Sequence, residues 1–100
     1  MQKQEVEVFS GAVNSVVLRT PGRKYPGLLI QGDTFFSFYA LAKRIYDLAR
    51  ALGNEELLDL AEQFEEDLRS RLGDYEKVLR EHNLGLPYVS PWPMQEQANG

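Results

Sequence analysis

The sequence has no cysteine and a single histidine, His82. Without cysteine there can be no disulfide framework, no thiolate metal site and no cysteine nucleophile. One histidine cannot form a histidine-based metal cage, and no serine lies in the glycine-flanked elbow of a serine hydrolase. We therefore expect no metal and no cofactor, and we predict that the protein is not an enzyme.

Long apolar runs are also missing. No segment approaches the roughly 18 apolar residues of a membrane-spanning helix, and residues 1–8 carry charges where a signal peptide needs an apolar stretch. These absences predict a cytoplasmic protein without a membrane partner. The formal net charge of −4 also argues against nucleic acid as a partner.

The 100 residues that are present are 43% hydrophobic, which is enough to fold one domain with a thin core. We expect that domain to span residues 1–93 and residues 94–100 to be a disordered tail. Residues 84–93 contain three prolines, so this part of the chain should be extended rather than helical.

The first third of the chain predicts three strands. Val6 and Val8 alternate with acidic residues, which is typical of a half-buried strand over residues 4–10. A β-branched segment over residues 15–20 predicts a second strand, and the almost wholly apolar segment over residues 28–31 predicts a third. Pro-Gly pairs separate the second and third strands, so a three-stranded antiparallel meander is expected.

Two amphipathic helices should follow. Asp33 or Thr34 can cap the first helix, whose apolar residues recur at three- and four-residue spacing up to Gly53. Asn54 can cap the second helix, which we expect to run through Gly73 to about residue 83, a break at Gly73 being the alternative. The prediction is an α+β fold in which the meander packs on a two-helix antiparallel hairpin, followed by an extended C-terminal tail.

Three cations surround the turn between the second and third strands. Arg19, Arg23 and Lys24 lie close to Gly22, where backbone amides could approach an anion. They are the anion-binding candidates. The alternative, which we favour, is a solvated loop whose charges keep the strand edge from pairing.

The first helix carries more aromatic residues than one buried stripe requires, and the tail adds a tryptophan between two prolines. Such residues could bind a protein partner. In the alternative that we favour, one side of the helix meets the sheet and the other meets the second helix, while Trp92 packs on its own domain. The partner-binding candidates are Phe35, Phe36, Tyr39, Tyr46 and Trp92.

The second helix is strongly acidic, with a row of carboxylates on one face at Glu55, Asp59, Glu62 and Glu66. Paired carboxylates can hold a hard cation or share a proton. We favour a solvated face. The length of this helix also leaves distal apolar residues that a second copy of the chain could cover, so a homodimer is a further hypothesis.

The segment Tyr25-Pro-Gly-Leu-Leu-Ile-Gln-Gly-Asp-Thr34 resembles the strand-turn-helix signature of HicB-type antitoxins. From Val6 through the Arg19-Thr-Pro-Gly-Arg23 loop to Leu86-Pro-Tyr88, the chain is similar to a group of small bacterial proteins of unknown function. That similarity implies a fold and carries no known site.

These observations lead to one main hypothesis and two alternatives. The main one is a non-enzymatic bacterial interaction or regulatory protein, antitoxin- or immunity-like, that binds a protein partner. The first alternative is a module that binds small anions or nucleotide phosphates through Arg19, Arg23 and Lys24. The second is a structural homodimer subunit.

Overall fold

A computed structural model describes residues 1–10 and 15–92 of the chain. Three strands precede two helices, which confirms the predicted α+β fold. The elements are β1 Glu7–Ser10, β2 Ser15–Arg19, β3 Gly27–Ile30, α1 Gly32–Leu52 and α2 Glu55–Glu81. Residues 11–14, between the first two predicted strands, and the predicted disordered tail over residues 94–100 lie outside the described residues.

The three strands form one antiparallel sheet in the order β1-β2-β3. β2 and β3 pair in unbroken register from Ser15 opposite Ile30 to Leu18 opposite Gly27. β1 is shorter than predicted, and its register with β2 shifts between Val8 and Ser10. Such a bulge bends the strand and interrupts its ladder of hydrogen bonds.

The helix boundaries follow from local chemistry. α1 begins at Gly32, and its N-cap is Gln31, whose side chain makes no capping hydrogen bond, so the predicted cap at Asp33 or Thr34 is wrong. The Asp33 carboxylate instead accepts a hydrogen bond from the Thr34 amide inside the first turn. α1 ends at Gly53, whose φ of 71° is the left-handed conformation that glycine adopts at low cost. The Asn54 side chain then caps α2 by accepting a hydrogen bond from the Leu57 amide at 2.9 Å.

α2 is one helix of 27 residues, and it continues through Gly73 as predicted. At its end, the His82 amide donates to the carbonyls of Val78 and Leu79, and His82 Nδ1 lies 3.0 Å from the Val78 carbonyl oxygen. His82 is therefore the C-terminal cap of α2. Within the described residues, neither helix combines the length and apolarity needed to cross a membrane.

The core lies between the two helices and the tail. Its buried residues are Tyr39 and Ala42 of α1 and Leu68 and Leu72 of α2. Aromatic residues of α1, α2 and the tail pack against this cluster: Phe35, Phe36, Tyr75, Tyr88 and Trp92.

The sheet packs little against the hairpin, which differs from the expectation that it would meet one side of α1. Strands of four or five residues reach about 13–17 Å, whereas α1 and α2 are about 31 Å and 40 Å long. Val8 and Leu28 of the sheet are 62% and 67% exposed. A second apolar side of α1, which was expected to meet either the sheet or α2, also remains exposed.

Candidate interaction surface

The hairpin carries an exposed apolar stripe on each helix. On α1 five residues recur at spacings of three and four and are 43–72% exposed: Phe38, Leu41, Ile45, Leu48 and Leu52. On α2 three residues with the same spacing are 39–58% exposed: Leu57, Leu60 and Phe64. Leucine, isoleucine and phenylalanine are ordinarily among the residues most often buried, so eight such side chains in contact with solvent need an explanation.

The two stripes lie on the same side of the hairpin. Successive residues of a helix are turned by about 100° around its axis. On this basis the α1 stripe lies roughly 110° around the helix axis from the buried side of α1. The α2 stripe lies roughly 90° from the buried side of α2, in the same rotational sense. The helices are antiparallel, because Tyr39 contacts Glu65 and Gly32 lies beside Tyr75. Equal rotations on antiparallel helices point to one side, so the eight residues form a continuous surface, which we call the apolar face.

The apolar face is large for a protein of this size. Its eight exposed fractions add up to a little over four fully exposed side chains. At about 150–200 Å² for each such side chain, the face presents roughly 700 Å² of apolar surface. The largest apolar patch on a typical monomer is about 300–600 Å² and is often functional.

A groove extends the apolar face toward the sheet. It has a volume of about 340 Å³ and lies between β3 and the hairpin. The edge-to-face pair of Phe35 and Phe38, with ring centroids 6.5 Å apart, connects the groove to the α1 stripe. The groove is lined by Leu28, Ile30, Gly32, Phe35, Arg71 and Tyr75.

The opposite side of the hairpin is covered by the chain's own tail. The Tyr88 ring stacks on Phe36 at a centroid distance of 4.3 Å and an interplanar angle of 10°. The Trp92 ring packs against Tyr39 at 5.9 Å. Trp92 therefore packs on its own domain, as the favoured alternative expected. One side of the hairpin is closed by aromatic contacts while the apolar face stays open.

Two buried glutamates hold this covered side together. Glu76 is 2% exposed and accepts hydrogen bonds from the Tyr88 hydroxyl at 2.8 Å and the Ser90 hydroxyl at 2.9 Å. Glu65 is 6% exposed and accepts a hydrogen bond from the Tyr39 hydroxyl at 2.9 Å. Each carboxylate also pairs with the arginine one turn later, at 3.1 Å for Glu65 and 3.6 Å for Glu76. Buried charges need such partners, so the tail is fixed by specific polar contacts as well as by packing.

These contacts change the acidity of the tyrosines. Burial, with the hydrogen bond to Glu65 as a second cause, raises the pKa of Tyr39 to about 12. Burial and the hydrogen bond to Glu76 also raise the pKa of Tyr88. Both hydroxyls therefore remain protonated hydrogen-bond donors at neutral pH.

The partner-binding candidates from the sequence lie mostly on the covered side. Tyr39 is 6% exposed, and Phe36 is half-buried under Tyr88. Tyr46 is half-buried, with Lys43 Nζ 5.5 Å from its ring centroid. Phe35 alone among them lines the groove beside the apolar face. The α1 stripe is more exposed than any of these candidates.

The anion-binding candidates do not converge on one point. The Arg19 guanidinium donates to both carboxylate oxygens of Glu7, at 3.0 and 2.8 Å. These hydrogen bonds, together with the positive charge, hold the pKa of Glu7 below its usual value. Lys24 Nζ lies over the ring of Tyr25 at 5.4 Å, and Arg23 lines a separate cleft of about 290 Å³. Arg19 is thus engaged within the sheet.

The acidic row of α2 is exposed along residues 55, 59, 62 and 66. The Asp59 carboxylate accepts a hydrogen bond from the Gln63 side-chain amide at 3.1 Å. Within residues 1–10 and 15–92, no three histidine or acidic side chains are grouped so that they could hold a metal ion. The row is a solvated face in this structure, as favoured from the sequence.

A comparison with protein-family models places the chain. A family of unknown function, DUF6959, matches residues 1–88. The chain belongs to this family. No curated protein matches the chain, and no solved structure does. The resemblance of the Tyr25–Thr34 segment to HicB-type antitoxins gains no support from these comparisons and stays a hypothesis.

The DUF6959 match encloses the features that define the structure. It includes the sheet, both helices and therefore the whole apolar face. It also reaches Tyr88, whose hydroxyl donates to Glu76, whereas Trp92 lies beyond the matched residues. The family assignment confirms the similarity to small proteins of unknown function.

Proposed function

We propose that this chain is a non-enzymatic bacterial interaction or regulatory protein that acts in the cytoplasm by binding a protein partner through the apolar face. The observation that carries the proposal is the size and continuity of that face. Roughly 700 Å² of contiguous apolar surface on a monomer is typical of a protein interaction site.

The form of the face indicates the kind of partner. Its two stripes run along helices at the three- and four-residue spacing by which helices pack against helices. A partner that offers an amphipathic helix or helical hairpin would complete a bundle on this side. Covering a partner's surface in this way, without catalysis, is an antitoxin- or immunity-like mode of action.

The small-anion or nucleotide-phosphate alternative has weaker support. An anion site would need Arg19, Arg23 and Lys24 to point at one ligand, but the Arg19 guanidinium is bound to Glu7 at 2.8 Å. To bind a phosphate, Arg19 would have to break its bidentate interaction with Glu7, so one bidentate interaction would be exchanged for another.

The proposal is tested with a matched pair of charge substitutions. Leu48→Glu places a charge in the apolar face, whereas Ala51→Glu places the same charge on an exposed position of the same helix about 100° from the centre of the α1 stripe. The wild type and both variants, each tagged, are mixed with host lysate and with purified proteins encoded beside the gene. Proteins retained in pull-down and size exclusion are then identified by mass.

We expect at least one protein, a second copy of this chain included, to be retained by the wild type and by Ala51→Glu and lost with Leu48→Glu. Circular dichroism should show the same helix content in all three proteins, because both substituted positions are exposed. If all three proteins retain the same set, or if none retains any protein, the apolar face is not an interaction site and the proposal fails.

A further inference from the structure

The partner at the apolar face can be inferred from the arrangement of the face itself. Tyr39 lies level with Glu65, and the two helices join through Gly53 and Asn54. This alignment places six of the eight residues of the apolar face side by side in three levels. The levels are Leu41 with Phe64, Ile45 with Leu60, and Leu48 with Leu57.

Three levels with two apolar side chains each are half of the core of a four-helix bundle. In such bundles every layer is filled by one side chain from each of four helices. A second hairpin with the same spacing, placed face to face, would supply the two missing side chains of every layer. The hairpin is self-complementary in this sense, as a two-fold symmetric interface requires.

Charge favours one orientation of the second hairpin. α1 has three basic and two acidic residues, whereas α2 has four basic and ten acidic residues. Placing α2 on α2 would bring the two acidic helices together. A two-fold axis parallel to the helices instead places α1 of one copy on α2 of the other, which opposes unlike net charges.

The size of the face also fits a second copy. A standard stable interface buries about 800 Å² on each partner. The apolar face offers roughly 700 Å² before any polar rim is counted. We propose that the apolar face is occupied by a second copy of this chain, forming a four-helix bundle in which α1 of each copy packs on α2 of the other. This inference rests on the proposed function and names the partner at that face.

Light scattering of the purified protein tests the mass directly. We expect about twice the 11.4 kDa of one chain at concentrations from about 1 µM to about 200 µM. Ile45→Glu, in the central level of the face, should shift the mass toward 11.4 kDa. The matched control Ala40→Glu, on an exposed position of α1 outside the stripe, should remain dimeric. A monomeric wild type, or a dimer that Ile45→Glu leaves intact, would overturn the inference.

The absence of cysteine allows the orientation to be tested with introduced thiols. In the inferred bundle, Leu48 of one copy lies opposite Leu57 of the other. A one-to-one mixture of Leu48→Cys and Leu57→Cys chains should oxidise mainly to a covalent dimer containing one chain of each kind. Either variant alone should form much less covalent dimer. Equal yields in the separate and mixed samples would contradict the α1-on-α2 arrangement.

The two proposals can fail separately. A monomeric wild type that still retains an identified host protein, in a manner abolished by Leu48→Glu, would refute the second copy as partner and leave the proposed function standing. A dimer that is insensitive to Ile45→Glu, combined with identical pull-downs for all variants, would refute both.

Discussion

The Tyr88 hydroxyl fastens the tail to α2, and removing it isolates one buried polar contact. Tyr88→Phe deletes the oxygen that donates to Glu76 at 2.8 Å. The ring itself remains, so its stacking on Phe36 at 4.3 Å should be preserved. The substitution therefore tests the hydrogen bond while changing the packing little.

The magnitude follows from the burial of the acceptor. Glu76 is 2% exposed, so water cannot readily replace the lost donor. A hydrogen bond to a charged group contributes about 1.5–3 kcal/mol. Ser90 and Arg80 still contact the carboxylate, so we expect the lower part of that range, about 1.5–2 kcal/mol. For a domain of this length that loss lowers Tm by about 10 °C.

Thermal and urea denaturation at pH 7, followed by circular dichroism, measure this loss. The matched control is Tyr25→Phe, which removes a hydroxyl from a side chain that is 73% exposed and should change stability by less than about 0.5 kcal/mol. If Tyr88→Phe costs no more than Tyr25→Phe, the reasoning about the buried carboxylate is refuted.

A second substitution separates the charge from the hydrogen bond. In a Glu76→Gln background the acceptor is neutral, and a neutral hydrogen bond contributes only about 0.5–1.5 kcal/mol. Tyr88→Phe should then cost less than it does in the wild type. An equal cost in both backgrounds would show that the effect of removing the hydroxyl does not depend on the charge of Glu76.

Three further predictions concern single contacts. The pKa of Tyr39 is raised above its ordinary value of 10.0 to about 12. The contribution of its protonated hydroxyl to stability should therefore be complete below about pH 10 and lost as pH rises through 12. Urea denaturation between about pH 8 and pH 12 should show a steeper loss of stability for the wild type than for Tyr39→Phe. Gly73 lies in the interior of α2 with open space around an added methyl group, so Gly73→Ala should raise the free energy of unfolding by about 0.5–1 kcal/mol. Gly53 has a φ of 71°, so Gly53→Ala should lower the free energy of unfolding by about 1–2 kcal/mol in the same denaturation assay. The same sign for both substitutions would contradict the assigned backbone conformations. Asn54→Ala removes the cap of α2 and should cost about 1 kcal/mol, with Asn54→Asp retaining most of the stability.

Local features of the fold could be predicted from the sequence because short-range chemistry decides them. The glycine end of α1, the asparagine cap of α2 and the continuity of α2 through Gly73 all depend on residues within one or two turns. The strand order followed in the same way from turn residues placed between apolar segments. Strand ends were less accurate, because the bulge between Val8 and Ser10 depends on the pairing with β2.

The candidate site was predicted less well, because periodicity shows that a residue is apolar without showing what covers it. The α1 stripe and the Tyr39 side were both apolar in sequence, and one of the two was expected to meet the sheet and the other α2. The buried glutamates were missed altogether, although each has an arginine four residues later and shares a face with Leu68 and Leu72. Burial of a carboxylate depends on the tyrosines that reach it from 12 or 26 residues away.

The sequence by itself determined three strands, two helices and their order, since capping, turn geometry and apolar spacing act over a few residues. Only the tertiary structure decided which side of the hairpin is closed. The tail brings Tyr88, Ser90 and Trp92 onto one side, where Glu76 and Tyr39 hold them. The strands are too short to cover the other side, so Ile45 and its neighbours remain exposed. That choice depends on long-range contacts, and it is what makes the apolar face available to a partner.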